Sequence, residues 1–147
     1  MAIPSAIPEF LPKNNRYQNP FATEIALFRT SEGGMARMAV SWETPGYQGE
    51  MGRVRGTKGS MTGMEFQGIA DISGINLNKP PLPPTIQAGG HGGSHGYLGD
   101  EFVNAILEDR KPLVDIVTAL NTTVSGVVAH QSALKNGELM KIPQYTL

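Results

Sequence analysis

The sequence has no cysteine, no long apolar run and no large excess of charge of either sign. Without cysteine the chain cannot form a disulfide framework or a thiolate metal site, and it suits a reducing compartment, so we expect a cytoplasmic protein. No segment approaches the roughly 18 apolar residues of a membrane-spanning helix, and the first residues lack the layout of a signal peptide. A net charge of −1 leaves no basic excess to neutralise phosphates, which argues against nucleic acid as a partner.

Intact nucleotide-binding motifs are also missing. Only Gly90-His91-Gly92 has G-x-G spacing, and His95 stands where a dinucleotide fingerprint needs its third glycine. No strand is predicted directly before this segment, and no Walker lysine follows it. We therefore expect no dinucleotide cofactor to be bound by this chain alone.

The 147 residues suit one domain with an irregular lead-in. Residues 1–20 contain four prolines and no usable periodicity, which predicts an extended lead-in or linker. Residues 21–147 are then expected to form a single α+β domain.

Short segments of alternating polarity, separated by turn residues, dominate the first half of this domain and predict an antiparallel meander. Between the first two, Ser31-Glu32-Gly33-Gly34 supplies residues that tolerate positive φ and predicts a tight hairpin. The predicted strands are Thr23–Thr30, Met35–Trp42, Glu50–Gly56, Ser60–Phe66 and Ile69–Ile72, with a last strand near Leu139–Ile142.

Two helices are predicted in the second half. The first runs from about Tyr97 to the Arg110-Lys111-Pro112 stop and carries a stripe of large apolar residues. The second has Asp115 as its N-cap, ends near Asn136, and has Gly137 at the C′ position. The fold class that follows is α+β, with an antiparallel sheet and two helices. The stripe of the first helix consists of Leu98, Phe102, Val103, Ile106 and Leu107, with Asp100, Glu101, Asn104 and Glu108 outward.

The second helix is unusual because residues 116–134 contain no Asp, Glu, Lys or Arg. A solvated helix face normally carries charge, so we expect another element or another polypeptide to cover its small-residue side. The predicted core stripe is Ile116, Leu120, Val124, Val127 and Leu134, and the small side is Thr118, Thr122, Ser125, Ala129 and Ser132. His130, at the edge of the stripe, is expected to be a hydrogen-bonded boundary residue.

Four arginines occupy odd positions in three successive predicted strands: Arg29, Arg37, Arg53 and Arg55. One sheet face could therefore carry an arginine patch that meets an anion or a neighbouring subunit. The alternative is a solvated face, or a set of cross-strand partners for Glu24 and Glu50.

The segment from Gly89 to Gly96 is the first candidate for a functional site. Its glycines let a backbone come close to a ligand, and they disfavour helix before Tyr97. We interpret His91, Ser94 and His95 as substrate-facing, with Tyr17 and Tyr47 as further pocket residues. An incidental flexible loop is the alternative, and Ser94 beside His95 is only a hint of acyl chemistry. A third reading, a metal hydrolase on His91 and His95, would need Asp100 or Glu101 as a third ligand. We predict no metal site.

The order of several short motifs resembles the end of the Gfo/Idh/MocA oxidoreductases, closest to the branch with the NAD-dependent glycosidases. The resemblance spans about residues 17–145. The motifs are Thr30-Ser31-Glu32-Gly33-Gly34, Arg55-Gly56-Thr57-Lys58-Gly59-Ser60, Gly90-His91-Gly92-Gly93-Ser94, Phe102-Val103-Asn104-Ala105-Ile106, Arg110-Lys111-Pro112, Asp115, Ala119-Leu120, His130-Gln131-Ser132-Ala133-Leu134 and Asn136-Gly137.

The resemblance implies the C-terminal domain of a two-domain enzyme, an open and mostly antiparallel β-sheet with two helices packed on one face. That domain shapes the pocket for a sugar-like substrate and assembles homo-oligomers through its sheet, while a Rossmann domain or subunit binds NAD or NADP. The family's Rossmann half, cofactor-contacting lysine motif and catalytic histidine have no counterpart in these residues, so this chain alone is expected to be inactive. The alternative is a free-standing, non-catalytic binding or scaffold module of the same fold.

Overall fold

The computed structural model describes residues 1–4, 13, 16–42, 49–76, 78, 81–84, 86 and 91–146. The chain divides into two compact units, Met1–Pro45 with Leu113–Leu147, and Gly46–Pro112. Along the described residues run six strands, one 3-10 helix and two α-helices. They are β1 (Ala2–Pro4), β2 (Phe21–Arg29), β3 (Met35–Ser41), β4 (Arg53–Gly56), β5 (Gly59–Thr62), β6 (Glu65–Gly68), the 3-10 helix (His91–Gly93), α1 (Ser94–Leu107) and α2 (Ile116–Leu134).

The first unit contains α2 and the first sheet, in which β2 lies between β1 and β3 and pairs antiparallel with both. The β2–β3 hairpin closes where Gly33 adopts a left-handed φ of 84°. The Thr30 hydroxyl accepts a hydrogen bond of 2.9 Å from the Gly34 N–H, which fixes the turn. The glycine pair therefore has the hairpin role that the sequence predicts.

The second unit contains α1 and the second sheet, an antiparallel meander of β4, β5 and β6. Its register aligns Val54, Met61 and Phe66 across the three strands. The Phe66 ring lies so close to Gly59 and Gly68 that a Cβ atom at either glycine would collide with it. These two positions must stay glycine for the meander to keep its packing.

Both helix ends of α2 follow from local chemistry. The Asp115 side chain accepts a 2.8 Å hydrogen bond from the Thr118 N–H, so the predicted N-cap is confirmed. At the other end, the Gly137 N–H donates to the Ser132 carbonyl and the Asn136 N–H to the Ala133 carbonyl. This pair of bonds is a Schellman motif. The C′ residue is Asn136, with φ 59°, and Gly137 follows it, so the predicted placement of Gly137 is wrong by one residue.

The α+β class, with antiparallel sheet and two helices, is confirmed. The strands divide between two three-stranded sheets, because β4 pairs with β5 and not with β3. The predicted strand Ser60–Phe66 is in fact two strands with a turn at Gly63. The predicted strands at Ile69–Ile72 and Leu139–Ile142 are wrong, since neither range is strand in the structure. That residues 21–147 form a single domain stays a prediction.

Few apolar side chains are buried. Among the described residues, the buried hydrophobic side chains are Ala22, Ala105 and Val128. The predicted stripe of α1 is exposed, with Phe102 at 66% and Ile106 at 64%, so its predicted inward orientation is wrong. Asp100, Glu101 and Asn104, predicted to point outward, are half-buried instead.

The same reversal occurs in α2. Its predicted core residues are exposed, except for the half-buried Val124, and they are Ile116, Leu120, Val127 and Leu134. Three small residues of the opposite side, Ser125, Ala129 and Ser132, are half-buried. A search of the described residues finds no helix with the length and hydropathy that a membrane span needs.

Candidate functional site

The glycine-rich segment enters α1 through a tight left-handed turn. His91 has a φ of 51° and Gly93, the N-cap of α1, a φ of 91°. The 3-10 helix and the first turn of α1 are therefore already helical before Tyr97, contrary to the prediction. Gly93 and Gly96 are buried. Because a positive φ favours glycine, Gly93 permits the chain to turn into the helix here instead of preventing it.

His91, His95 and Glu50 form one exposed cluster in the second unit. The two imidazole rings have their centroids 5.3 Å apart, at an angle of 58°. The Nδ1 atom of His91 lies 3.9 Å from Oε1 of Glu50, and these side chains are 70% and 94% exposed. The cluster offers two imidazoles and a carboxylate to solvent, which are groups that can bind the hydroxyls of a small polar ligand.

Ser94 belongs to a motif that the sequence interpretation missed. Gly92-Gly93-Ser94-His95-Gly96 has the G-x-S-x-G spacing of a nucleophile elbow. In such an elbow the serine lies on a sharp turn between a strand and a helix. Here Ser94 is the first residue of α1 and a 3-10 helix precedes it. Among the described residues no hydrogen bond joins its hydroxyl to an imidazole, so the activated serine of acyl transfer is not assembled.

The proposed third ligands for a metal do not join the histidine pair. Both carboxylate oxygens of Glu101 accept hydrogen bonds from the guanidinium of Arg110, at 2.7 and 2.9 Å. Glu108 binds the same guanidinium at 2.6 Å, and hydrogen bonds to the two carboxylates raise the pKa of Arg110. Within the described part of the chain no cluster of three His, Asp or Glu side chains could hold a metal ion.

The remaining pocket candidates are Tyr17 and Tyr47. Tyr17 belongs to the first unit, is 83% exposed, and lies under the guanidinium of Arg16 at 5.7 Å. Tyr47 lies outside the described residues. The structure thus groups His91, His95 and the unpredicted Glu50, with Ser94 in the same turn.

The four arginines lie in two pairs on different sheets. The register places Arg29 and Arg37 on one face of the first sheet. It places Arg53 and Arg55 on one face of the second sheet. No single sheet face therefore carries all four, although an anion-facing or subunit-facing role of each pair stays a prediction. The alternative of cross-strand carboxylates is wrong, because Glu24 bonds His130 and Glu50 approaches His91.

His130 makes the one side-chain link described between α2 and β2. Its Nδ1 atom lies 2.6 Å from Oε1 of Glu24, and both side chains are about one-third exposed. Phe21 meets the same ring edge to face, with centroids 6.0 Å apart. The predicted role of His130 as a hydrogen-bonded boundary residue is confirmed.

A groove of about 560 Å³ lies in the first unit between β2, the end of α2 and residues 137–142. Its lining is mostly apolar, with Phe28, Val128 and Met140 among the side chains. Arg37 and Glu138 are the charged residues in the lining. Its lining does not include His91, Ser94, His95 or Tyr17, the predicted substrate-binding residues that the structure describes.

No protein-family model, curated protein or solved structure matches this chain.

Proposed function

We propose that this chain is the substrate-binding and oligomerising domain of an NAD(P)-dependent oxidoreductase of the Gfo/Idh/MocA type. In this proposal, a Rossmann domain or subunit outside these residues binds NAD or NADP and carries out hydride transfer. The chain contributes part of a pocket for a sugar-like substrate, and alone it is inactive. The proposal places the protein in the cytoplasm.

The exposed apolar stripes of the two helices are the observation that carries this proposal. Leu98, Phe102 and Ile106 of α1 are each more than 60% exposed, and so is Ile116 of α2. Burying one such side chain is worth about 1.5–3 kcal/mol, so a protein surface rarely leaves several of them together in water. A domain whose stripes are covered by further protein accounts for this pattern, and the missing cofactor-binding half is the occupant that the proposal assigns to them.

The histidine cluster supports the substrate-binding half of the proposal. His91, His95 and Glu50 are open to solvent and lie where the chain enters α1. Imidazole nitrogens and a carboxylate oxygen can donate to and accept from sugar hydroxyls.

The alternative is a free-standing binding or scaffold module, which fits the observation that the described residues assemble no activated nucleophile. The two candidates differ in what happens when the cofactor-binding half is supplied. A scaffold module binds its ligand without it, whereas the proposed domain gains hydride-transfer activity only with it.

The three histidines provide the test, because one of them is an internal control. We would titrate neutral monosaccharides and polyols into the chain and follow the imidazole resonances by NMR. The proposal predicts that the signals of His91 and His95 shift together and saturably, while His130, held by Glu24, does not move. The variant His95→Ala should abolish the shift of His91. Equal movement of His130, or no movement at any concentration of any sugar, would contradict substrate binding here.

The cofactor part has its own test. Trp42, the single tryptophan, is 77% exposed, so its fluorescence reports on ligands at the surface of the first unit. Titration with NADH should give no saturable change for this chain alone. Tight, saturable NADH binding would mean that these residues form a dinucleotide site themselves.

A further inference from the structure

The outer edge of β3 is open to solvent. Among the described residues β3 pairs on one side only, with β2, and it ends the first sheet. All seven of its residues are exposed, with Met35 at 76%. The outer edge of such a strand is a template for pairing with another strand.

The hydrogen bonds at the two ends of the hairpin fix which residues point toward β2. The Trp42 N–H donates to the Ala22 carbonyl at 3.1 Å, and the Thr30 N–H donates to the Gly34 carbonyl at 2.9 Å. Both pairs join even-numbered residues. Bonded and non-bonded pairs alternate along an antiparallel ladder, so the even-numbered residues of β3 bond to β2.

The odd-numbered residues of β3 consequently direct their backbone groups outward. Met35, Arg37 and Ala39 each present an N–H and a carbonyl oxygen to the open edge.

Nothing in β3 protects this edge. Natural edges are blunted by proline, bulges or several charges. β3 contains no proline or glycine, its pairing with β2 is regular, and Arg37 is its one charged residue. An edge without such devices is free to act as a template for a further strand.

We propose that the edge of β3 pairs antiparallel with β3 of a second copy, so that two three-stranded sheets join into one of six strands. In this pairing Met38 lies on the twofold axis, which places Arg37 of each copy opposite Ala39 of the other. Shifting the register by two residues toward the N-terminus would set Arg37 against Arg37 of the second copy, and like charges directly opposite are unfavourable.

This register also joins the apolar faces of the two strands. Met38 would meet Met38 of the second copy in a non-hydrogen-bonded pair, where side chains come closest. Ala36 would lie opposite Val40 of the second copy. Because the pairing is the same from either copy, it closes as a dimer and does not propagate as a fibre.

The inference rests on the oligomerising part of the proposed function and names the surface that performs it. A second copy is the occupant because the apolar residues of β3 match one another about Met38, and this register keeps the two Arg37 side chains from lying directly opposite each other.

A cysteine cross-link tests the register directly, because the natural chain has no cysteine. In the full chain, Met38→Cys would place two thiols in a non-hydrogen-bonded pair with Cα atoms about 4.5 Å apart, within disulfide range. Val40→Cys is the matched control, because Val40 is on the same face and, like Met38, is 39% exposed. The Cα atoms of the two Val40 residues would be more than about 13 Å apart, because four residues separate them along the strands at about 3.3 Å per residue.

We expect mild oxidation to convert Met38→Cys to a disulfide-linked dimer on non-reducing gels and to leave Val40→Cys monomeric. No cross-link at Met38→Cys, or equal cross-linking of both variants, would overturn the inference.

The variant Ala39→Pro distinguishes pairing through the β3 edge from other modes of assembly. The Ala39 N–H points outward, so proline there removes no bond of the β2–β3 ladder while it blocks the edge. Light scattering should show a dimer for the natural chain and a monomer for Ala39→Pro, with circular dichroism reporting that the fold is kept. A dimeric Ala39→Pro would overturn edge pairing while leaving the proposed function intact. A natural chain that is monomeric at high concentration would overturn the pairing and the oligomerising part together, but not substrate binding.

Discussion

The three histidines of this chain have two kinds of surroundings. His91 and His95 face solvent beside Glu50, whereas His130 is half-buried between Glu24 and Phe21. The first pair is available to a ligand. The third holds α2 to β2, and removing it would leave a half-buried carboxylate without its donor.

We therefore expect His130→Ala to lower the free energy of unfolding by about 1–2 kcal/mol. This is the lower part of the range for a buried group that loses its hydrogen-bond partner, because both groups are partly solvated. Glu24→Gln, which keeps an acceptor for the ring, should cost less. Urea unfolding followed by circular dichroism measures both. His95→Ala is the control, with an expected change within about 0.5 kcal/mol. If His130→Ala were as stable as the control, the Glu24 contact would not hold the helix.

Residue-scale prediction from the sequence worked where partners are close along the chain. The spacing of His91 and His95 made them a visible pair. Glu24 and His130 are 106 residues apart, so no pattern in the sequence could join them, although the boundary position of His130 was readable from the apolar stripe. Glu50 was missed in the same way, because its nearness to His91 depends on tertiary structure.

At the scale of elements, the ends of α2 rest on single side chains and can be tested singly. Asp115→Ala removes the acceptor of the Thr118 N–H and should lower the free energy of unfolding by about 1 kcal/mol. Asp115→Asn keeps an oxygen at the cap and should lower the free energy of unfolding by only a few tenths of a kcal/mol. Thermal unfolding compares the two variants. Equal losses would show that charge, and not the capping bond, is what Asp115 contributes.

The elements were predicted well where local chemistry decides them. Gly33-Gly34 predicted the first hairpin, and Asp115 predicted the start of α2. The division into two sheets was not predictable, because strand pairing is decided by contacts between segments distant in sequence. The start of α1 was placed too late because glycine disfavours helix by only about 1 kcal/mol, and tertiary packing of Gly93 and Gly96 can override that preference.

At the scale of the whole molecule, periodicity correctly indicated where the helices are but not which side they bury. The sequence predicted the stripe of Leu98, Phe102 and Ile106 as the core side, and in this chain that stripe is exposed. A hydrophobic period shows that a face will be covered by protein, without saying whether the same chain supplies the cover. Under the proposed function, the apolar period of this stripe and its exposure in the free chain agree, because the cofactor-binding half covers the stripe.

This account makes a quantitative prediction about the free chain. Phe102 is 66% exposed, so Phe102→Ser should change the free energy of unfolding by no more than about 0.5 kcal/mol. Ala105 is on the same helix but only 7% exposed, so Ala105→Asp, which buries a charge, should cost at least about 2 kcal/mol. Urea unfolding of the two variants beside the natural chain makes the comparison. A loss of about 3–5 kcal/mol for Phe102→Ser, the range for an aromatic removed from a core, would mean that these residues already bury the stripe themselves. The exposed face would then give no reason to infer a covering domain, and a self-contained binding module would be the better account of the protein.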